Sequence, residues 1–142
     1  MFTDAGWLFG IHKMVNYLTH HGVKVFQYIL TYQGQYSLTQ FYGLDPVGVC
    51  HGDDLFYIWN SLPLNEQDLA VSKTMTDAWT NFAKYGDPTP DSKNSWTPVE
   101  PGVMYDTFQF WNISGPEPLM QTNSKLQERM DLWEQVMLEN EL

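Results

Sequence analysis

The sequence predicts an α/β fold, and two patterns carry that prediction. Three stretches place apolar side chains three and four residues apart, as amphipathic helices do. A fourth stretch, residues 23–32, is rich in β-branched and aromatic residues, which is typical of a buried strand. Apolar residues make up 43% and aromatic residues 15% of the 142 residues, so the chain has the material for a packed core and the length of one ordinary domain.

The first predicted helix covers residues 7–20 and ends before Gly22, a natural stop. Its apolar positions are Trp7, Leu8, Ile11, Met14, Val15 and Leu18. After the strand at 23–32, residues 34–52 contain four glycines and a proline, which predict a long, shaped loop leading to His51. A short helical turn is predicted at 54–59.

The second predicted helix begins after Asn65, a possible N-cap, and ends by Gly86. Its predicted buried face consists of Leu69, Met75, Trp79, Phe82 and Ala83. Residues 87–101 carry four prolines and predict an irregular connection anchored by Trp96. Residues 104–112 are short and aromatic, which favours an edge strand. The third helix, 124–138, has the apolar stripe Leu126, Met130, Trp133, Val136 and Met137.

These elements include too few strands for a complete sheet. A buried strand needs neighbours to satisfy its backbone groups, and two strands alone are marginal. The patterned sequence also begins directly at Met1. We therefore expect the chain to be a piece of a longer protein that holds the missing strands.

Charge and cysteine content narrow the classes of partner. The formal net charge is -10, from 7 Lys and Arg against 17 Asp and Glu, which disfavours nucleic acid and anionic lipid. No run approaches the roughly 20 apolar residues of a membrane span. The single cysteine, Cys50, cannot form an internal disulfide, and the paired thiols of a zinc ribbon are absent.

His51 is the strongest candidate for chemistry. It follows a glycine-rich loop and precedes Asp53 and Asp54, a setting that suits a general base, although a hydrogen-bonded structural histidine fits it as well. A metal site built from these three residues is the rival interpretation, but no H-E-x-x-H or C-x-x-C pattern accompanies them. We predict no metal site and no cofactor.

A nucleophile is missing from the sequence. None of the seven serines lies in a G-x-S-x-G elbow, and no oxyanion run such as HGGG is present. Cys50 adjoins His51, so in an extended backbone their side chains point apart. A base without a nucleophile cannot carry out acyl transfer. Separately, Asn112 begins an N-x-S sequon, which makes it a possible glycosylation site.

Several ordered motifs resemble the C-terminal part of the type-B carboxylesterases, the cholinesterase-like branch of the α/β-hydrolases, and most of all the insect and other arthropod esterases. FTDAGWLFGI resembles the family's T/S-D-x-x-F segment, and VFQYILTYQGQYSL resembles its Y-x-Y-x-F-x-Y-x-G-x-x-S strand and loop. GVCHGDDLFYIW is similar to the G-V-x-H-x-D-D/E-L-x-Y-x-F histidine motif. MTDAWTNFAKYGDPTP and ERMDLWEQV are similar to the family's W-T-N-F-A-K helix and terminal E-R-x-x-x-W helix. The resemblance runs nearly end to end.

The resemblance implies that residues 1–142 form the C-terminal segment of a carboxylesterase domain, with the last strands of its sheet, covering helices and histidine loop. It makes His51 the catalytic histidine of a serine-histidine-acid triad, with Gly52 and Asp54 as support for the loop. The serine, the oxyanion glycines and the triad acid would all precede Met1. The implied substrate is a small-molecule carboxylic ester, and the implied partner is the upstream part of the same parent chain.

A second interpretation stays open: a non-catalytic, esterase-like interaction module whose apolar faces bind another protein. The cellular location is open too, since any signal peptide of a secreted parent would lie upstream.

Overall fold

The computed structural model describes residues 3–59, 61–91, 95–101 and 108–139. In chain order it contains a π-helical segment Asp4–Leu8, α1 Phe9–His20, β1 Tyr28–Leu30, α2 Leu38–Phe41, α3 Asp54–Trp59, α4 Glu66–Tyr85, β2 Phe108–Ile113, β3 Leu119–Asn123 and α5 Ser124–Glu139. This mixture of helices and strands confirms the α/β prediction.

The three strands form one sheet in the order β1-β2-β3, with β1 parallel to β2. Tyr28 lies opposite Trp111, and Leu30 lies opposite Ile113. The prediction of an edge strand at 104–112 was wrong in position, because β2 is the central strand of the described sheet. We did not predict β3, because the residues around Gln121 are polar, and without β3 the strand β2 was expected to lie at the edge of the sheet. Residues 104–107 of the prediction lie outside the described residues.

The predicted strand at 23–32 is shorter than expected. Only Tyr28–Leu30 is paired as a strand. Upstream of it, the Val25 carbonyl accepts a single hydrogen bond from Val99 N–H at 2.8 Å, which is not a ladder. The strand-forming side chains of residues 23–32 therefore extend beyond the backbone pairing that the described part of the chain provides.

The helix ends follow the sequence closely. Asn65 caps α4, since its Oδ1 accepts a hydrogen bond from Asp68 N–H at 2.9 Å, and Gly86 ends the helix at φ 67°. The predicted helical turn at 54–59 and the predicted C-terminal helix are confirmed as α3 and α5. Helix α2 was not predicted; it starts from a capping box in which Ser37 N–H donates to Gln40 Oε1 at 2.8 Å.

The chain divides into two compact units. One consists of residues 1–27, 97–110 and 121–142, and the other of residues 28–96 and 111–120. In the first unit, Arg129 of α5 holds the buried carboxylate of Asp4, with Arg129 Nε 3.0 Å from Asp4 Oδ2. This pair joins the first and last sequence motifs, and Met130 beside it is fully buried.

The second unit is built around α4. Its buried face consists of Asp68, Val71, Ser72, Met75 and Ala78. Trp96 is buried and stacks on Trp111 with ring centroids 4.5 Å apart, which confirms its predicted role as an anchor. No helix in the described ranges has the length and hydropathy to cross a membrane.

The predicted buried faces of two helices were wrong in part. Trp7 and Met14 of the first helix are 52% and 55% exposed, and Phe82 of α4 is 48% exposed. The interior faces instead include polar side chains with hydrogen-bond partners, such as Thr19, whose hydroxyl donates to the Val15 carbonyl at 2.9 Å. Polar groups that have hydrogen-bond partners can be buried at a low cost in free energy, and the spacing of apolar residues does not predict their burial.

Candidate active site

His51 is exposed and lies at the start of a turn, residues 51–53, that leads directly into α3. Gly52 has φ +90°, a left-handed conformation that favours glycine. A Cβ at Gly52 would also lie 2.7 Å from Leu38 Cδ1 of α2. The backbone angle therefore favours glycine after His51, and a Cβ there would also displace the end of the Leu38 side chain.

Asp53 holds the loop on both sides of His51. Its side chain is 4% exposed. Asp53 Oδ1 accepts a hydrogen bond from Leu38 N–H at 2.7 Å, and Asp53 Oδ2 accepts one from Cys50 N–H at 2.8 Å. A carboxylate that receives two backbone donors is a strong local clamp. Sequence reasoning took Asp53 as an acid beside the candidate base and as a rival metal ligand, but it did not predict this clamp; the position of Asp53 beside a histidine in a glycine-rich loop was the available signal.

Asp54 connects the same loop to the sheet. Its Oδ2 accepts a hydrogen bond from the Tyr28 hydroxyl of β1 at 2.8 Å. Burial raises the pKa of Tyr28, and the Asp54 carboxylate raises that pKa further. The supporting roles of Gly52 and Asp54 stay predictions, and these contacts are the ones through which such support would act.

A second buried carboxylate, Asp68, lies behind the loop and is 0% exposed. It accepts hydrogen bonds from the Tyr32 hydroxyl at 2.8 Å and from Gln35 N–H at 3.2 Å. Tyr57 of α3 is 1% exposed. Burial raises the pKa of Tyr57 to about 12, with a further rise from Asp68 that a hydrogen bond from the Gly34 backbone partly offsets. Tyr57 is therefore a neutral hydroxyl at physiological pH.

Gly34 fills the space between these two side chains, and its replacement by alanine is expected to be severe. A Cβ there would lie under 3.0 Å from both Tyr57 Oη and Asp68 Oδ1. Both groups are buried, so neither can move aside without losing packing or hydrogen bonds. In the full-length protein we expect Gly34→Ala to lower the free energy of unfolding by about 2–4 kcal/mol, measured by urea denaturation.

Gly10→Ala is the matched control for that substitution, because nothing lies within 4 Å of a Cβ on that helical glycine. It is expected to be neutral or stabilising, since alanine favours helix by about 1 kcal/mol over glycine. Equal denaturation midpoints for the two variants would contradict the crowding at Gly34.

The aromatic residues near His51 in sequence do not form one pocket lining. Phe56 is buried and stacks on Phe41 with centroids 5.8 Å apart, whereas Tyr42 and Trp59 are 81% and 73% exposed. A cleft of about 750 Å³ runs along the second half of α4, but His51 is not among its lining residues. The described residues thus present His51 at a surface rather than within that cleft.

The other histidines have structural partners. His12 is 3% exposed, stacks on Phe108 and has its Nε2 3.1 Å from Asn16 Nδ2. Burial lowers the pKa of His12. Nδ1 of His21 lies 2.7 Å from the Tyr17 carbonyl. Across the described ranges, no three His, Cys, Asp or Glu side chains are grouped to hold a metal ion.

Asn112 lies in β2 and is 9% exposed, and its Oδ1 accepts a hydrogen bond from the Thr31 hydroxyl at 2.6 Å. A glycan would require this side chain to leave the sheet, unlike the exposed loop where such sites normally lie. Glycosylation of Asn112 stays a prediction.

The family model and the similar known proteins agree on one family. A model of the carboxylesterase family matches residues 1–133. Juvenile hormone esterase of Tribolium castaneum is 30% identical over 99% of this chain, and esterase E4 of Myzus persicae is 28% identical over 80% of it. The chain spans 28% and 22% of those two relatives.

The solved structures agree on the fold. Juvenile hormone esterase from Manduca sexta, with OTFP covalently attached, matches 95% of this chain with a TM-score of 0.78 and 22% identity, over 27% of its own length. The described elements therefore form part of an α/β-hydrolase fold. The chain belongs to the carboxylesterase family.

Proposed function

We propose that residues 1–142 are the C-terminal segment of a carboxylesterase domain whose complete protein hydrolyses small-molecule carboxylic esters, with His51 as general base. The observation that carries this proposal is the family match across residues 1–133, which includes the His51 loop. The clamp formed by Asp53 supports it, since a catalytic base must be held in place by groups around it.

The proposed mechanism uses His51 at three points. The imidazole takes the proton from a serine hydroxyl as its oxygen attacks the ester carbonyl, and then gives that proton to the departing alcohol. It next takes a proton from water as the water oxygen attacks the acyl-enzyme, and it returns that proton to the serine oxygen as the bond to the acyl group breaks and the carboxylic acid leaves. No metal or cofactor takes part in these steps.

In this proposal, the other groups that the mechanism needs come from outside this chain. The sequence has no G-x-S-x-G elbow and no oxyanion glycine run. We infer that the upstream part of the same parent supplies the serine, the oxyanion hole and the triad acid.

The isolated chain is therefore expected to hydrolyse p-nitrophenyl acetate no faster than free imidazole at the same concentration. A base alone provides neither the nucleophile nor the oxyanion stabilisation that acylation requires. The complete reading frame should show burst kinetics and should be labelled by an organophosphate. Stoichiometric labelling of the 142-residue chain itself would overturn this division of roles.

The exposed apolar side chains of α1 favour one alternative, the interaction module. Ile11, Met14 and Tyr17 are 40%, 55% and 64% exposed, and surface of this kind often binds another protein. The two proposals are separated by the codons upstream of Met1. An in-frame elbow similar to G-E-S-A-G together with an oxyanion glycine run would favour the esterase, whereas their absence would favour the module.

A further inference from the structure

We propose that Asp68 is a positioning residue for the loop that carries His51. This inference rests on the proposed catalytic role of His51. Asp68 lies 17 positions after His51 in the sequence, in the first turn of α4. It is joined to the loop by two routes, one of hydrogen bonds and one of packing contacts and hydrogen bonds.

The first route runs through the segment before α2. Asp68 Oδ2 accepts a hydrogen bond from Gln35 N–H at 3.2 Å, and Asp68 Oδ1 accepts one from the Tyr32 hydroxyl at 2.8 Å. These bonds fix residues 32–35 against α4. Three residues later, Leu38 N–H donates to Asp53 at 2.7 Å, and the same carboxylate takes Cys50 N–H, one residue before His51. A displacement at Gln35 is thereby passed to the backbone beside His51.

The second route runs through α3. Tyr57 and Asp68 both pack against Gly34, where a Cβ would leave neither enough room. The Ser72 hydroxyl of α4 donates to the Tyr57 carbonyl at 2.5 Å, so α3 is fixed to α4 at a second point. Helix α3 begins at Asp54, and Leu55 N–H donates to the Gly52 carbonyl at 3.1 Å. The orientation of α3 consequently sets the direction of the His51 turn, which leads into the first residue of that helix.

The charge on Asp68 is what makes it suitable for this task. A fully buried carboxylate with hydroxyl and amide donors prefers one arrangement of its neighbours, because any donor that moves away leaves a buried charge less well satisfied. An apolar residue could fill the same volume but would not fix the direction of Gln35 and Tyr32. General-base catalysis depends on such directions at a scale of about 1 Å.

The test uses the complete enzyme that contains this segment. Asp68→Asn keeps the shape of the side chain but removes its charge and one acceptor. We expect kcat per active site, counted by organophosphate titration, to fall about tenfold, while KM stays within about twofold. The matched control is Asp77→Asn, which removes an exposed carboxylate on the same helix that pairs with Lys73; it should leave both constants unchanged.

A merely structural role for Asp68 predicts a different result. In that case the thermal midpoint and the number of titratable sites fall, but each remaining site keeps the wild-type kcat, and this outcome would overturn the proposal. If Asp68→Asn yields no folded enzyme, Tyr32→Phe decides, because it removes a single hydrogen bond to Asp68. Its kcat per site should fall about threefold at unchanged KM; wild-type kcat would sink the inference.

His51→Gln in the same assay separates the positioning role of Asp68 from the proposed function itself. Full turnover by His51→Gln would remove the proposed function itself. Loss of turnover in His51→Gln together with normal turnover per site in Asp68→Asn would leave the proposed function standing and reject only the positioning role.

Discussion

Replacement of His51 by glutamine in the proposed complete esterase is expected to lower kcat by about 10⁴-fold or more, since His51 is the proposed triad base and loss of such a base has effects of that order. Glutamine is similar in size and can donate a hydrogen bond, but it cannot take the serine proton. Because His51 is exposed on its turn, the substitution should leave folding intact. The measurement is steady-state hydrolysis of p-nitrophenyl acetate, with the circular dichroism spectrum as the check on folding.

His21→Gln is the matched control, since His21 is an exposed histidine at the end of α1. It should hydrolyse the ester at the parental rate. Near-normal turnover in His51→Gln would remove His51 from the site.

The isolated 142-residue chain is expected to self-associate or to behave as a molten globule. Large apolar side chains lie uncovered on it, among them Trp7, Met14, Leu69 and Phe82 at 52%, 55%, 45% and 48% exposure. Such surface favours association, although a net charge of -10 opposes it at low salt. ANS binding, a broad thermal transition and light scattering are the measurements, and co-expression with the proposed upstream part should restore a soluble complex.

A pair of variants tests whether the apolar surface is the cause. Ile11→Lys with Met14→Lys adds two charges and removes two exposed apolar side chains from α1, so association should decrease. Gln67→Lys with Gln135→Lys adds the same charge at exposed polar positions and should change little. A sharp two-state melt of the unmodified chain as a monomer would contradict the expectation and favour the interaction module.

The sequence was most informative where a residue acts locally. Asn65 and Gly86 bound α4 as their capping preferences indicate, and Trp96 anchors its proline-rich segment as predicted. These outcomes depend on neighbours a few residues away or on one large side chain, so they can be read without knowing the fold.

The sequence was least informative where burial depends on distant partners. Asp68 looked like an ordinary acidic residue in the first turn of a helix, yet it is 0% exposed because Tyr32 and Gln35 approach it from another segment. Leu69, its apolar neighbour, was expected inside and is 45% exposed. Pattern analysis assigns burial by hydropathy, whereas the fold assigns it by which polar groups find donors.

The candidate site divides in the same way. His51, Gly52 and Asp54 were proposed from one contiguous motif, but the clamp by Asp53 was not, because one of its partners, Leu38, begins a short helix that was predicted as loop. The bond from Cys50 lies within the motif, whereas the bond from Leu38 depends on pairing between two segments.

The placement of Cys50 gives the molecule a built-in reporter. It is the single cysteine of the chain, is partly exposed, and is the residue immediately before His51, with its amide fixed by Asp53. A small trifluoromethyl group attached to its sulfur would therefore place one fluorine resonance beside the proposed base, with no competing thiol on the chain to label. The width of that resonance would report how many conformations the loop samples, and its sharpening when the proposed upstream part is added would record the ordering of the loop.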